Sequence, residues 1–130
     1  MKQVYRTVAS PVGNLTLVAD DERLAAILWP NDDPKRVRVD LAAEDRENAV
    51  LAETERQLRD YFAGARTQFS LPLAFSGTAF QKKVWNALLT IPFGETRTYA
   101  EIAAQVGQPS AVRAVGAAIG RNPISVVAPC

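Results

Sequence analysis

The first part of the chain alternates apolar and polar positions with the two-residue period of half-buried β-strands. The pattern predicts strands over residues 4–8, 15–19 and 24–29. Ser-Pro-Val-Gly-Asn fills the first gap and Asp-Asp-Glu-Arg the second, and both stretches are typical of turns. These three segments therefore predict an antiparallel meander.

The pattern then changes to loop and helix. Residues 30–47 are polar and contain two prolines, so we expect mostly loop there. Apolar positions over residues 48–63 fall at helical spacing, and Gly64 is placed to end that helix. Residues 67–73 are predicted as a last short strand. Nothing in residues 1–76 indicates catalysis.

From Ser76 onward the spacing is helical and the start signals are strong. Thr78 and Gln81 form a capping box, and Pro92 lies beyond the end of the helix that follows. Thr98 and Glu101 form a second box, which opens a short helix.

A third helix is predicted close behind the second. Gly107 ends the second helix, and Ser110 is expected as the N-cap of the third, which runs to about Gly120. Two short helices joined by a tight turn that contains glycine predict a helix-turn-helix.

The third helix has two different faces. One is apolar and suits a core: Val112, Val115 and Ile119. Another is nearly bare of side chains: Arg113, Gly116, Ala117 and Gly120. Two helical glycines cost about 1 kcal/mol each relative to alanine, which indicates that something approaches the backbone closely. A neighbouring helix and a nucleic-acid groove both satisfy this condition, and a smooth helix with one long cation suits a groove more than base-edge readout.

Composition and cysteine content limit the function classes. The 130 residues are 48% hydrophobic and 22% charged, as in a soluble folded protein, and no apolar run is long enough for a membrane span. One cysteine and no histidine exclude an internal disulfide and nearly exclude a structural zinc site. The N-terminus has no signal-peptide core, so we expect a cytoplasmic protein without a membrane partner.

The net charge of +1 is unevenly distributed. Residues 1–76 carry ten Lys and Arg against twelve Asp and Glu, whereas residues 77–130 carry five against two. The second part is therefore the more basic, which favours a nucleic-acid partner, although ordinary charge scatter gives the same pattern.

Residues 77–130 resemble the DNA-binding and active-site half of the methylated-DNA–protein-cysteine methyltransferases, the 6-O-alkylguanine-DNA alkyltransferases. The resemblance rests on Phe-Gln followed by Val-Trp, Ile-Pro-Phe-Gly-Glu, Thr-Tyr, Arg-Ala-Val-Gly, Asn-Pro and Pro-Cys, in one order and spacing. The stretch "SPVGNLTLVADDERLAAILW" is similar in layout to that family's N-terminal domain. The implied fold is α+β: a small antiparallel-sheet domain over residues 1–76, then a helical helix-turn-helix, winged-helix-like, DNA-binding and active-site domain over residues 77–130.

The resemblance implies direct repair of double-stranded DNA that contains 6-O-alkylguanine, with 4-O-alkylthymine as a further substrate. A monomer without cofactor or metal would bind through the minor groove, flip the damaged nucleotide and transfer the alkyl group irreversibly to Cys130, once per molecule. The transfer requires a thiolate. A lone cysteine is otherwise most often a small buried hydrophobe.

The resemblance also assigns the remaining site residues. Tyr99 would rotate the nucleotide outward and protonate the leaving guanine, unless it is only a packing residue. Arg113 would fill the gap in the base stack, unless it is solvated or bound to a phosphate. The residues that would contact DNA are Gln108, Ser110, Ala111, Gly116 and Ala117. Asn122 would also lie at the DNA-binding surface and connect the recognition helix to the active-site strand. Ile119 and Ser125 would line the alkyl pocket. Trp85 and Phe80 are assigned to the core.

The sequence departs from the family after Cys130, where the family places His-Arg and, later, a glutamate. We expect the natural protein to continue with those residues, and we expect the 130-residue chain alone to react slowly, because no histidine can activate the thiol. The alternative functions are a DNA-lesion binder without transfer and a generic helix-turn-helix regulator. Cys130 argues against the first, and the bare helix face argues against the second.

Overall fold

The computed structural model divides the chain into two compact units, Met1–Ala74 and Phe75–Cys130. The residues that the structure describes are 3–20, 22–33, 35–37, 39 and 41–128. Among them, no helix is long and apolar enough to cross a membrane.

The first unit contains a four-stranded sheet of order β3-β2-β1-β4. Its strands are β1 (Gln3–Val8), β2 (Leu15–Asp20), β3 (Arg23–Leu28) and β4 (Leu41–Glu44). The antiparallel pairing of β1, β2 and β3 confirms the predicted meander. The expectation of loop over residues 30–47 was wrong for β4, which pairs in parallel with β1. A four-residue strand among turn residues is too short to show a period of its own.

Helix α1 (Ala49–Phe62) packs on this sheet where a helix was predicted. Its N-cap is Asn48, whose Oδ1 accepts hydrogen bonds from the backbone N–H groups of Val50 and Leu51 at 3.0 and 3.1 Å. Gly64 follows with φ of 78°, a left-handed conformation that glycine adopts without strain. Sequence signals at both ends thus set the length of the helix.

The strand predicted over residues 67–73 was wrong apart from one bridge, between Leu73 and Leu24. A buried side chain instead bonds the backbone of one residue of this segment, Ser70. The Gln57 amide accepts from the Ser70 N–H at 2.9 Å and donates to the Ser70 carbonyl at 3.1 Å. The Gln57 side chain of α1 therefore makes the pair of hydrogen bonds with Ser70 that a neighbouring strand would otherwise make.

The second unit contains α2 (Ala79–Leu88), α3 (Tyr99–Gln105) and α4 (Val112–Gly120). Both predicted capping boxes are confirmed, Thr78 with Gln81 and Thr98 with Glu101. In each box the threonine hydroxyl accepts from the N–H three residues on, at 3.1 Å. The two boxes fix where α2 and α3 begin.

The predicted start of the third helix was wrong. The N-cap of α4 is Ala111 and not Ser110, and no side-chain hydrogen bond caps it. Ala111 closes a turn in which its N–H donates to the Gln108 carbonyl at 2.9 Å. That turn continues one residue past the serine, so the serine hydroxyl lies outside the capping position.

The helices enclose a core around Val84, Trp85, Leu88, Ile102 and Val115, all at most 2% exposed. The assignment of Trp85 to the core is confirmed, and Phe80 is partly buried against the same cluster. The apolar face predicted for the third helix is only partly buried. Val115 is buried and Ile119 packs at the edge, but Val112 is 37% exposed because it lies in the first turn, beyond the core.

The strand expected after Asn122 is not formed over the described residues. Residues 123–128 form bends and a turn, with only an isolated bridge residue at Ile124. The Ala128 N–H donates to the Ile124 carbonyl and the Val127 N–H to the Ser125 carbonyl, both at 2.9 Å. Val126 has φ of 72°. A left-handed residue breaks the extended conformation, so an apolar run that suggests a strand folds into a compact turn.

Candidate functional site

The turn between α3 and α4 brings several of the expected DNA-contacting residues to one end of the unit. Gly107 has φ of 83°, and the Gln108 N–H returns to the Ala103 carbonyl at 2.9 Å, which closes α3. Gln108 and Ser110 are exposed and Ala111 is half-buried. Because no side chain caps α4, the N–H groups of its first turn remain available to an anion.

Tyr99 is the first residue of α3 and is 50% exposed. One edge of its ring rests on α4 at Gly116. A Cβ atom added to Gly116 would lie 3.0 Å from Cε2 and 3.2 Å from Cδ2 of Tyr99. The structure therefore brings together two of the expected site residues, and packing on a neighbouring helix accounts for the bare position at Gly116.

The rest of the bare face of α4 is open. Arg113, Ala117 and Gly120 are exposed, and a Cβ atom added to Gly120 would meet nothing within 4 Å. Within the described residues, the Arg113 guanidinium has neither a hydrogen bond nor an ion pair. This face can therefore approach a ligand closely and offers it one cation.

Asn122 follows directly after α4 and is 1% exposed. Its Nδ2 donates to the Ala128 carbonyl at 2.7 Å, and its Oδ1 accepts from the Ile124 N–H at 3.0 Å. Its backbone N–H donates to the Ile119 carbonyl at 3.1 Å. One side chain thus fixes the turn of residues 123–128 relative to the end of the helix.

The expected pocket residues lie close to this turn in sequence but differ in exposure. Ile119 is half-buried on α4, whereas Ser125 is 3% exposed within the turn. Cys130, the expected nucleophile, lies outside the described residues. The described chain ends two residues before it, at a carbonyl that Asn122 holds.

One carboxyl near the site, at the start of α3, has a shifted pKa. The Thr98 backbone N–H, and after it the Thr98 hydroxyl, hold the pKa of the Glu101 carboxyl below its usual value. Arg97 adds a smaller effect in the same direction. Glu101 is therefore a charged capping group at neutral pH and not a candidate acid or base.

Sequence reasoning missed a contact between α2 and α4. The Trp85 indole N–H donates to the Ala118 carbonyl at 2.8 Å, inside the core. A Cβ atom on Gly77 would lie 2.8 Å from the Trp85 ring and 2.6 Å from Gln81 Oε1. The glycine directly before the Thr78 capping box was the available signal, because it leaves room for a large ring.

Comparison with known proteins identifies the family. Residues 79–130 match the profile described as 6-O-methylguanine DNA methyltransferase, DNA binding domain, and residues 3–75 match the ribonuclease-like domain of the same description. The chain belongs to this family of 6-O-methylguanine DNA methyltransferases. The family membership that the motifs predicted is thereby confirmed over both units.

Curated relatives within the family are similar along nearly the whole chain. The constitutive methylated-DNA–protein-cysteine methyltransferase of Bacillus subtilis is 45% identical over 97% of this chain and 77% of its own length. The methylated-DNA–protein-cysteine methyltransferase of Mycobacterium leprae is 46% identical over 96% of this chain and 74% of its own length.

Solved structures of the family share the fold. The Mycobacterium tuberculosis O6-methylguanine methyltransferase superposes with a TM-score of 0.84 at 43% identity, over 98% of this chain and 76% of that one. The Mycobacterium tuberculosis OGT in complex with DNA gives 0.82 at 43% identity, over 98% and 75%. The predicted α+β class is confirmed.

Proposed function

We propose that this protein is a methylated-DNA–protein-cysteine methyltransferase that repairs 6-O-alkylguanine in double-stranded DNA by transferring the alkyl group to Cys130. The observation that carries the proposal is the family match over residues 79–130, which coincides with an α3–α4 pair whose outer face is exposed and nearly bare. The named function of its relatives and the DNA complex of one family member support the same assignment.

In this proposal the residues around α4 hold the duplex. Gln108, Ser110 and Ala111 contact phosphate at the uncapped start of the helix, where the free N–H groups and the helix dipole favour an anion. Gly116 and Ala117 allow the helix to lie close in the minor groove. This mode of contact positions the protein without reading base edges, as repair at any sequence requires.

Two side chains move the damaged nucleotide. Arg113 enters the stack where the base has left, and offsets part of the few kcal/mol that unstacking costs. Tyr99 crowds the adjoining phosphate and presents its phenol to the flipped base. The flipped base then lies in an alkyl pocket lined by Ile119 and Ser125, next to the turn that Asn122 fixes.

The transfer is a displacement at carbon. The Cys130 thiolate forms a bond to the alkyl carbon, the bond from that carbon to O6 of guanine breaks, and the leaving guanine takes a proton, with the Tyr99 phenol as donor. The thiol proton is lost before the attack, so the net change replaces it by the alkyl group. Because water does not cleave the thioether, each molecule reacts once.

We also propose the domain organisation, the oligomeric state and a second substrate. Residues 1–76 form the N-terminal domain and residues 77–130 the DNA-binding and alkyl-transfer domain. The protein acts as a monomer in the cytoplasm without a cofactor, and 4-O-alkylthymine is a second substrate.

Intact mass tests the proposal. The protein as its gene encodes it is incubated with duplex DNA that contains one 6-O-methylguanine. We expect the mass to rise by the replacement of one proton by one methyl group, and Cys130→Ser to prevent the increase. Binding without a mass change would instead support a lesion binder. The same measurement on the 130-residue chain tests whether a chain without histidine reacts slowly.

A further inference from the structure

A side chain at position 116 is excluded by a neighbouring group and not by the backbone conformation of Gly116. It lies inside α4 without the positive φ that favours glycine, so alanine could adopt its backbone angles. Alanine would also be favoured in a helix interior by about 1 kcal/mol. Something other than local backbone geometry must therefore exclude a side chain at this position.

The ring of Tyr99 is the obstacle. A Cβ atom at position 116 would lie 3.0 Å from Cε2, 3.2 Å from Cδ2 and 3.8 Å from Cζ of that ring, and no other atom lies among its three nearest neighbours. The first two distances are tighter than ordinary van der Waals contact, so the ring must give by a few tenths of an ångström. Because Tyr99 is 50% exposed, the ring can move outward without disturbing the core.

Gly120 shows that the contact is specific to one of the two helical glycines. It lies one turn further along the same face, where an added Cβ would meet nothing within 4 Å. Packing within the described protein explains Gly116 but not Gly120. The two glycines therefore have different reasons to be glycine, although the sequence pattern treats them alike.

We propose that Gly116 is a positioning residue for Tyr99. Because residue 116 has no side chain, the phenol ring of Tyr99 can lie against α4, and this contact fixes the position of the ring at the proposed DNA-facing surface of α3 and α4. This inference rests on the proposed function, because it assigns Gly116 a role in nucleotide flipping through Tyr99 and not only in close approach to the groove. A methyl group at position 116 displaces the ring while the helix and its core remain intact.

A double-mutant cycle tests the proposal. The single-turnover rate of methyl transfer from a 6-O-methylguanine duplex is measured for the full protein and for Gly116→Ala, Tyr99→Ala and the double variant. We expect Gly116→Ala to slow transfer roughly tenfold, because a misplacement of about 1 Å can cost roughly a hundredfold and the ring moves by only a few tenths of an ångström. In the Tyr99→Ala background the same substitution should have a clearly smaller effect, because no ring remains to be displaced and only the approach to the groove is affected.

Gly120→Ala is the matched control, since it adds the same methyl group to the same face of the same helix. Whatever its effect on transfer, that effect should be equal in the unsubstituted protein and in the Tyr99→Ala background. A loss for Gly116→Ala that is the same in both backgrounds would overturn the proposal and assign Gly116 to direct contact with DNA. The absence of any loss for Gly116→Ala would overturn it too.

A second measurement separates this inference from the proposed function. In the free protein, NMR resonances of the Tyr99 ring should shift in Gly116→Ala and stay in place in Gly120→Ala. If the unsubstituted protein transfers no methyl group, the proposed function fails whatever the ring does. If it transfers normally and the cycle shows no coupling, only the positioning role fails.

Discussion

At the scale of single residues, Asn122 and Arg113 show two opposite uses of a polar side chain. Asn122 is buried, and the chain itself satisfies its amide on both sides. Arg113 is exposed one helix length earlier, and its guanidinium points at no partner among the described residues. The first is a structural residue of the turn, whereas the second is the side chain that we propose meets DNA.

Asn122→Ala should lower the free energy of unfolding by roughly 2 kcal/mol, because it leaves the buried Ile124 N–H and Ala128 carbonyl without partners. Urea denaturation followed by circular dichroism measures the change. Asn86→Ala is the control, since the Asn86 amide donates to the Lys82 carbonyl of its own helix in an exposed position. Equal losses for the two variants would show that the Asn122 amide does not hold the turn.

Arg113→Ala should slow methyl transfer roughly tenfold, since losing about 1.4 kcal/mol of the offset to unstacking corresponds to that factor. The salt dependence of binding to undamaged duplex should stay nearly unchanged. If Arg113 instead binds a phosphate, the slope of log K against log salt falls by about one. Titrations at several salt concentrations therefore distinguish insertion into the stack from phosphate contact.

At the scale of secondary-structure elements, the starts of the helices carry the clearest sequence signals. Two capping boxes of closely similar geometry begin α2 and α3, one with Gln81 and the other with Glu101. Helix α4 begins without a side-chain cap. A box satisfies the first N–H groups within the chain, whereas an uncapped start leaves them for a ligand.

Thr98→Ala should cost about 1 kcal/mol of stability, the usual effect of removing an N-cap oxygen. Ser110→Ala should change stability by less than about 0.5 kcal/mol, because the structure places Ser110 outside the capping position of α4. Thermal unfolding of both variants measures the two stability changes. A loss of similar size at Ser110 would restore it as the N-cap.

Acidification should weaken the start of α3 and not that of α2. The Thr98 N–H and hydroxyl lower the pKa of Glu101, so its contribution is present above the pKa of the unfolded chain and is lost as pH falls through the folded pKa. Glu101→Gln should keep a capping box at α3 of the type that Gln81 forms at α2. The glutamine side chain does not titrate. The stability advantage of the natural protein over this variant should shrink as pH falls, and a constant difference would contradict the argument.

Periodicity and end signals predicted most elements because those signals are local. Thr78, Thr98, Gly64 and Gly107 each act within a few residues, and the structure confirms each one. Pairing between distant segments has no local signal of this kind in the sequence. The parallel pairing of β4 and the hold of Gln57 on Ser70 depend on tertiary contacts, and so does the left-handed turn at Val126.

The candidate site was predicted by motif and not by physical pattern. The sequence singled out the bare face of α4, but it could not distinguish the two glycines, because the ring that covers Gly116 belongs to a different helix. It also could not show that the Trp85 indole is bonded to α4. Such contacts follow from packing, which one sequence does not encode in any short stretch.

At the scale of the whole molecule, the two parts of the chain differ in net charge. Residues 77–130 carry a net charge of +3 and residues 1–76 a net charge of −2. If the basic part binds DNA, its affinity should depend on salt, because each phosphate contact releases counterions.

Replacing Lys82 and Lys83 by Gln lowers the net charge of the second part to +1. We expect several-fold weaker binding to undamaged duplex at low salt, and a difference that fades as salt rises and screens the charges. Replacing the exposed Arg23 and Lys35 by Gln removes the same charge from the first unit and should have little effect. Equal weakening by both pairs, measured by fluorescence anisotropy, would argue against a binding surface confined to the second unit.

The segment that follows α1 covers part of the outer edge of the sheet in the first unit. Strand β3 is an edge strand, and the Pro72 carbonyl and the Ala74 N–H pair with Leu24 at 2.8 and 2.9 Å. A fragment of the first unit that ended before Pro72 would leave these groups of Leu24 open to a second chain, a common start of edge-to-edge aggregation. Any cut made to separate the two units therefore has to fall after Ala74.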